Sequence, residues 1–196
     1  MRDVADLTAW LDDVLDVLGL TDGVNMAGIS YGAYATAEYA LHAPQRLRKI
    51  VWVSPVMVAA PLSQEFVERL RPCAGAGREP LEAFCRWVMP SLAASGGREL
   101  EDRVDEILLT RECYGTMMPP VRRPVLSEEE LAGLGVPALY ILGERDGATD
   151  SPRQVLAHVA AVAPGIETML VPEAGHDAVV AQPGLIADRM LEFLGR

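Results

Sequence analysis

Apolar residues along this chain follow two different periodicities. Short apolar runs of the kind that form buried strands occur at 24–27, 50–54, 138–142 and 167–171. Helix-forming segments, most of them with apolar residues repeating every three to four positions, are predicted over 6–20, 33–41, 152–162 and 185–194. Because parallel strands that alternate with helices are joined by right-handed crossovers, this order predicts an α/β fold, a parallel sheet with flanking helices.

One long segment, residues 61–126, departs from this alternation and contains no clear strand. Its stripes, separated by glycine-containing turns, predict helices over 63–70, 80–89 and 98–110. The segment lies between the second and third predicted strands, so we expect it to cover the edge of the sheet where α/β proteins bind ligands. The predicted organisation is a core of residues 1–60 and 127–196 with a helical cap of residues 61–126.

Composition and charge limit the partners and the cellular compartment that we expect for this chain. At 196 residues, half of them hydrophobic, it is long enough for one well-packed domain. A net charge of −11 with scattered arginines argues against a nucleic-acid partner. No apolar run reaches the ~18 residues of a membrane span, and the acidic first 20 residues do not resemble a signal peptide. Three cysteines without metal-ligand spacing predict reduced thiols, so we expect a cytoplasmic protein that does not bind membranes.

The sequence Gly28-Ile29-Ser30-Tyr31-Gly32 lies between the first predicted strand and the helix that follows it. A Gly-x-Ser-x-Gly at a strand-to-helix turn is typical of a nucleophile elbow, where a sharp turn exposes the serine hydroxyl. We expect both glycines to be required, because side chains there would collide with the flanking strand and helix. The pattern also arises by chance in long chains, and its position is what makes Ser30 a candidate nucleophile.

A serine hydroxyl needs a base to accept its proton, and histidine is the usual one. Of the three histidines, His42 closes the helix after the elbow and His158 lies within a predicted helix, so both are interpreted as structural. His176 follows the fourth predicted strand on a glycine-containing loop, where α/β folds keep their reacting groups. His176 is the candidate base; a capping or turn role is the competing interpretation.

An acid that orients the imidazole would complete such a site. The loop beginning at Gly143 follows the third predicted strand and precedes His176 in chain order. Asp146 in that loop is the candidate acid, and Glu144 and Asp150 are the alternatives. The competing interpretation is a solvated turn in which Asp150 or Ser151 caps the next helix.

With these three motifs in this order, the chain resembles the α/β-hydrolase superfamily, in its cap-bearing branch. Residues 24–56 resemble the elbow with its helix and the next strand, residues 136–152 the acid-bearing strand and loop, and residues 171–183 the histidine loop. The resemblance implies Ser30 as nucleophile, Asp146 as acid and His176 as base. It also implies that the backbone N–H of Tyr31 is one donor of an oxyanion hole.

The resemblance also sets an expectation for the start of the chain. Members of the family usually have four strands and a helix before the helix that begins here, including a loop that donates the second oxyanion N–H. We therefore expect a truncated reading, a fragment, or a short form that forms a homodimer over the elbow strand, which would be an exposed edge. Loss of one oxyanion donor typically slows such enzymes by ~100–1000-fold.

The cap supplies candidate substrate-binding residues, namely Trp87, Met117 and Met118, together with Phe66, Phe84, Val88 and Met89. They are predicted to line an apolar acyl pocket, and packing within the cap is the competing interpretation. The predicted function is a serine hydrolase that acts on a small-molecule substrate, a partly apolar ester, thioester or lactone, through an acyl-enzyme. Alternatives are C–C bond hydrolysis or lyase chemistry on the same residues, and a catalytically impaired binding protein. No metal or other cofactor is expected, since no residues have metal-ligand spacing or form a GxGxxG motif.

Overall fold

A single parallel sheet organises the chain in the computed structural model, which describes residues 1–75, 77–96, 98–115 and 124–195. Its four strands lie side by side in chain order. They are β1 (Val24–Ile29), β2 (Leu47–Val53), β3 (Ala138–Gly143) and β4 (Ile166–Val171). All three neighbouring pairs are parallel, which confirms the predicted α/β fold with its parallel sheet.

The helices that precede and follow these strands lie close to their predicted positions. The core helices are α1 (Val4–Val17), α2 (Tyr31–His42), α7 (Glu128–Ala132), α8 (Pro152–Val162), α9 (Ala178–Ala181) and α10 (Pro183–Gly195). Between β2 and β3 lie α3 (Gln64–Leu70), α4 (Arg78–Val88), α5 (Pro90–Ala94) and α6 (Arg98–Tyr114). The sequence did not predict α5, α7 and α9, because helices of four or five residues are too short to display a full apolar stripe.

Both faces of β3 and of residues 50–53 in β2 are buried, which explains the continuous apolar sequence of these stretches. In β2, Ile50 and Trp52 pack with α1, α2 and α8 on one face, whereas Val51 and Val53 pack with α9 and α10 on the other. Successive side chains of a strand point to opposite faces, so a strand covered on both sides has no polar position. The Trp52 indole N–H donates to the Thr36 hydroxyl at 3.0 Å and thereby joins β2 to α2.

Strand β1 differs because it lies at the edge of the sheet. Its burial alternates, and Asn25, Ala27 and Ile29 are exposed, Ile29 to 50%. The interpretation of this segment as a buried strand was therefore wrong for one of its faces, whereas the expectation that the elbow strand is an edge strand is confirmed. An apolar run predicts that a strand forms, but it does not determine how many neighbours the strand has.

The helical insertion between β2 and β3 has a small apolar core of its own. Buried residues of α4 and α6, together with Cys73, form this cluster. The insertion is joined to the sheet through Ser63, whose hydroxyl donates to the Gly147 carbonyl at 2.7 Å and whose N–H donates to the Ala148 carbonyl at 2.9 Å. These bonds fix the start of the insertion to the loop after β3, at the carboxyl ends of the strands, where Ser30 follows β1.

Across the described ranges, we find no helix with the length and apolarity needed to cross a bilayer. The three cysteines are free thiols; Cys73 and Cys85 are buried and Cys113 is exposed.

Candidate active site

Ser30 lies at the point where β1 ends and α2 begins. Its backbone is in an uncommon conformation, with φ of 53° and ψ of −117°, which a non-glycine residue adopts only when its surroundings enforce it. The Ser30 N–H donates to the Val53 carbonyl at 3.0 Å, and the Ser30 carbonyl accepts from the Ala33 N–H at 3.1 Å. The end of β2 and the first turn of α2 therefore hold the strained turn in place.

The two glycines of the motif have different roles. A Cβ atom at Gly28 would lie 2.3 Å from the Gly32 carbonyl oxygen and 2.5 Å from the Ala33 nitrogen, so no side chain fits there. A Cβ atom at Gly32 would meet nothing within 4 Å, and its φ is not positive. The expectation that both glycines are sterically required was therefore wrong for Gly32, because the crowding arises from the approach of the α2 backbone to Gly28.

Two loops at the carboxyl ends of neighbouring strands carry Asp146 and His176. Asp146 follows β3 and His176 follows β4, and these strands are neighbours in the sheet. The loops bond directly to each other, since the Arg145 N–H donates to the Ala174 carbonyl at 2.8 Å. A Cβ atom at Gly143 would lie 2.2 Å from the Gly175 carbonyl oxygen, so glycine at position 143 permits this close approach.

The side chains of Ser30, His176 and Asp146 form a continuous chain of hydrogen bonds. His176 Nε2 lies 2.9 Å from Ser30 Oγ, and His176 Nδ1 lies 3.0 Å from each carboxylate oxygen of Asp146. Asp146 is 2% exposed, and its Oδ1 also accepts from the Ala148 N–H at 2.9 Å. An ionised carboxylate only accepts hydrogen bonds, so Nδ1 must carry the imidazole proton and Nε2 is left to accept from the Ser30 hydroxyl.

The alternative bases lie elsewhere in the structure. His42 Nε2 is 3.1 Å from Asp12 Oδ2, and His158 is 3.8 Å from Glu128. Both histidines therefore contact acids of other helices, Asp12 in α1 and Glu128 in α7, rather than Ser30.

The alternative acids also have other partners or positions. Glu144 pairs with Arg153 and accepts from the Glu173 N–H at 3.1 Å, and these bonds hold the pKa of Glu144 below its usual range, the Glu173 bond having the larger effect. Asp150 is exposed, and the neighbouring Ser151 caps α8. Of the acids considered from the sequence, Asp146 is the one that the structure brings to His176.

A cavity of about 280 Å³ opens at Ser30 and His176. Its wall is mainly apolar and comes from α3, α4 and α6 of the insertion and from Val56 and Met57 after β2. The predicted pocket residues Phe66, Phe84, Val88 and Met89 are among those that line it. Tyr31, the first residue of α2, lines it as well.

Sequence reasoning missed part of this wall. Cys85 and Leu81 of α4 lie on the same face as Val88, at helical spacing, and line the cavity with it. Arg103 of α6 lies four residues before Ile107 and also contributes, with its guanidinium 2.5 Å from Glu106. Helical spacing from the predicted Val88 was the signal that could have identified Leu81 and Cys85.

Trp87 has a different position from the one predicted. It is not among the residues that line the cavity. Its ring lies over Gly147 in the loop of Asp146, where a Cβ atom would be 2.7 Å from the indole, and the Arg69 guanidinium stacks on it at 4.8 Å. Trp87 therefore packs the insertion against the acid loop. Met117 and Met118, the other predicted substrate-binding residues, lie outside the described residues.

The fold and this geometry agree with comparisons to known proteins. Residues 1–189 match the sequence model of the Alpha/beta hydrolase family. The chain belongs to the alpha/beta hydrolase family. This assignment confirms the resemblance predicted from the elbow, acid and histidine motifs.

The relatives of this alpha/beta hydrolase include carboxylesterases. The chain is 26% identical over 203 residues to carboxylesterase YbfK of Bacillus subtilis (strain 168), covering 99% of this chain and 64% of that protein. It is 28% identical over 199 residues to a second protein of that strain, the uncharacterized carboxylesterase nap, covering 96% of this chain and 62% of that protein. The chain thus spans somewhat less than two thirds of the length of these two relatives.

Solved structures of two carboxylesterases are also similar to this chain. The crystal structure of carboxylesterase CesB (YbfK) from Bacillus subtilis superimposes with a TM-score of 0.80 at 25% identity, covering 99% of this chain and 67% of that one. The naproxen esterase from Bacillus subtilis gives a TM-score of 0.82 at 25% identity, covering 97% of this chain and 66% of that one. Similarity at this level extends over nearly the whole of the present chain.

Proposed function

We propose that this alpha/beta hydrolase is a serine carboxylesterase that cleaves small, partly apolar esters through an acyl-enzyme. The observation that carries the proposal is the hydrogen-bonded chain from Ser30 Oγ through His176 to the buried Asp146. The carboxylesterase relatives support the same reaction class, although the chain covers 64% and 62% of their lengths.

In this mechanism Ser30 Oγ attacks the carbonyl carbon of the ester while His176 Nε2 accepts the hydroxyl proton. The 2.9 Å separation between Ser30 Oγ and His176 Nε2 suits that transfer. Asp146 keeps the Nδ1 proton in place and stabilises the imidazolium that forms. The tetrahedral intermediate then collapses as the leaving alkoxide takes the proton from Nε2, which leaves the acyl group on Ser30.

Deacylation repeats these steps with water as the nucleophile. His176 removes a proton from water, the resulting oxygen attacks the acyl carbon, and the second tetrahedral intermediate expels Ser30, which regains its proton. In both intermediates the backbone N–H of Tyr31, at the start of α2, is the proposed donor to the negatively charged oxygen.

The wall of the cavity supports an apolar acyl group. Phe66 and Phe84 pack edge to face, with ring centroids 5.2 Å apart, and both line the cavity, as does Val88. A site of about 280 Å³ with mainly apolar walls suits a short aliphatic or a single aromatic acyl group. Thioesters and lactones of similar size present the same carbonyl to Ser30 and belong to the proposed substrate range.

The decisive experiment combines p-nitrophenyl butyrate hydrolysis with a fluorophosphonate probe and intact-protein mass spectrometry. Wild-type protein and Ser95→Ala, which changes an exposed serine at the end of α5, should hydrolyse the ester and gain one label. Ser30→Ala should lose the label and about 10⁶-fold of the ester turnover. Equal labelling of Ser30→Ala, or no labelling of the wild type, would contradict the proposal. An unlabelled wild type would favour a binding protein, and turnover of a ketone without acylation would favour C–C bond hydrolysis.

A further inference from the structure

Asp177, the residue immediately after His176, is an unusual acid. It is 6% exposed, although carboxylates are seldom buried without a charged partner. One of its oxygens, Oδ2, accepts from the Leu92 N–H at 2.7 Å. The other, Oδ1, is buried and has no hydrogen-bond partner among the described residues. A side chain that is expensive to bury and only half satisfied calls for an explanation.

The local role open to Asp177 does not supply that explanation. Asp177 is the N-cap residue of α9, but its side chain accepts no hydrogen bond from that helix. Instead the carboxylate reaches α5 in the helical insertion, 85 residues away in the chain, where Leu92 is the third helical residue. The bond to Leu92 therefore connects two distant elements, because it satisfies a free N–H in the first turn of α5 and none in α9.

Two more contacts join the histidine loop to the same part of the insertion. The His176 N–H donates to the carbonyl of Val88, the last residue of α4, at 3.2 Å. A Cβ atom at Gly175 would lie 2.6 Å from the ring of Pro90, so the loop is pressed against the first residue of α5. Three consecutive loop residues thus contact the α4–α5 junction, defined here as residues 88–92.

The α4–α5 junction is therefore bonded directly to His176, which in turn contacts Ser30. Val88 and Met89 of the junction line the cavity. His176, in the histidine loop that contacts the junction, makes the hydrogen bond to Ser30 Oγ. We propose that Asp177 is a positioning residue that clamps the histidine loop to the α4–α5 junction, so that the seating of the helical insertion sets the distance between His176 and Ser30. The effect on catalysis rests on the proposed function, whereas the clamp itself does not.

The test compares Asp177→Ala, Asp177→Asn and, as a control, Asp188→Asn, which changes an exposed acid on α10. Asn keeps a side-chain oxygen that can accept from Leu92, whereas Ala removes it. Asp177→Ala should lower kcat for p-nitrophenyl butyrate and the fluorophosphonate labelling rate by about tenfold or more, with KM changed by less than about threefold. Asp177→Asn should recover most of this loss, and Asp188→Asn should match the wild type.

Amide hydrogen exchange of His176 and Leu92 measures the clamp without any substrate. In folded Asp177→Ala both amides should exchange at least about tenfold faster than in the wild type, with Asp177→Asn close to the wild type. Unchanged exchange in folded Asp177→Ala would overturn the clamp, whether or not the protein is an esterase. Faster exchange with an unchanged labelling rate would overturn the coupling to Ser30, and an Asp177→Asn variant as impaired as Asp177→Ala would overturn the role assigned to the hydrogen bond with Leu92. If the wild type does not label, the proposed function fails, and the exchange rates still decide the clamp.

Discussion

The contrast between Gly28 and Gly32 leads to a sharp prediction about the elbow. In Gly28→Ala the new Cβ atom would start 2.3 Å from the Gly32 carbonyl oxygen, whereas ordinary contact begins near 3.4 Å. The atoms that it meets are backbone, so the start of α2 must move about 1 Å away from β1, since no side chain can yield instead. Ser30 lies between these two glycines and moves with them.

Two measurable losses follow from that displacement. Overpacking of this kind costs about 1–3 kcal/mol, which lowers Tm by roughly 2–12 °C in a domain of this size. A 1 Å displacement of a nucleophile costs about 100-fold in rate, because the bond between Ser30 Oγ and His176 Nε2 no longer aligns with the reacting carbonyl. We therefore expect Gly28→Ala to label with fluorophosphonate about 100-fold more slowly than the wild type.

Gly32→Ala is the matched control, because it makes the same chemical change four residues away. Its Cβ atom meets nothing within 4 Å, and alanine is favoured over glycine in a helix by roughly 0.5–1 kcal/mol. Tm should stay the same or rise, and the labelling rate should change by less than about threefold. Calorimetry and a time course of labelling measure both quantities. If the two variants behave alike, the reasoning about the approach of α2 to Gly28 is refuted.

Three further predictions concern other parts of the molecule. Asp12 accepts from the Tyr39 hydroxyl at 2.5 Å, which holds the pKa of Asp12 below its usual value, so this bond stabilises the fold above about pH 4 and is lost on further acidification. Urea unfolding should show Asp12→Asn about 1–3 kcal/mol less stable at pH 7, with a smaller difference near pH 3; a constant difference would contradict this. Burial raises the pKa of the Cys85 thiol to about 11, so at pH 8 iodoacetamide should modify the exposed Cys113 before Cys85. Peptide mass spectrometry measures the two rates, and equal rates would contradict the burial of Cys85 in α4. If β1 pairs with β1 of a second copy, sedimentation should show a dimer that Ala27→Lys disrupts; a monodisperse wild-type monomer would rule this out.

Local patterns predicted the arrangement of the core well. The run at 138–142 and the stripe at 152–162 correspond to β3 and α8, and α8 has the predicted bounds. These elements are recognised locally because their periodicity depends only on which faces are buried. The apolar stripe predicted over 6–20 is only partly buried in α1, since Leu7 and Leu15 are buried but Trp10 is 50% exposed and Val17 is 87% exposed. An apolar stripe shows which face can pack, and the neighbouring elements determine how much of it does.

The order of the motifs and the residue types available for chemistry could be predicted from the sequence alone: a serine at a strand-to-helix turn, then an acid and a histidine after later strands. Their meeting in space could not be predicted in this way, since Ser30 and His176 are 146 residues apart and their 2.9 Å contact depends on the register of four parallel strands. The folded structure was also needed to show that Cys85 faces the cavity whereas Trp87 packs on the acid loop, and that Gly28 is crowded whereas Gly32 is open. The cause is the same in each case, because composition and periodicity are properties of neighbouring residues, whereas distance and burial arise from the packing of elements that are remote in the chain.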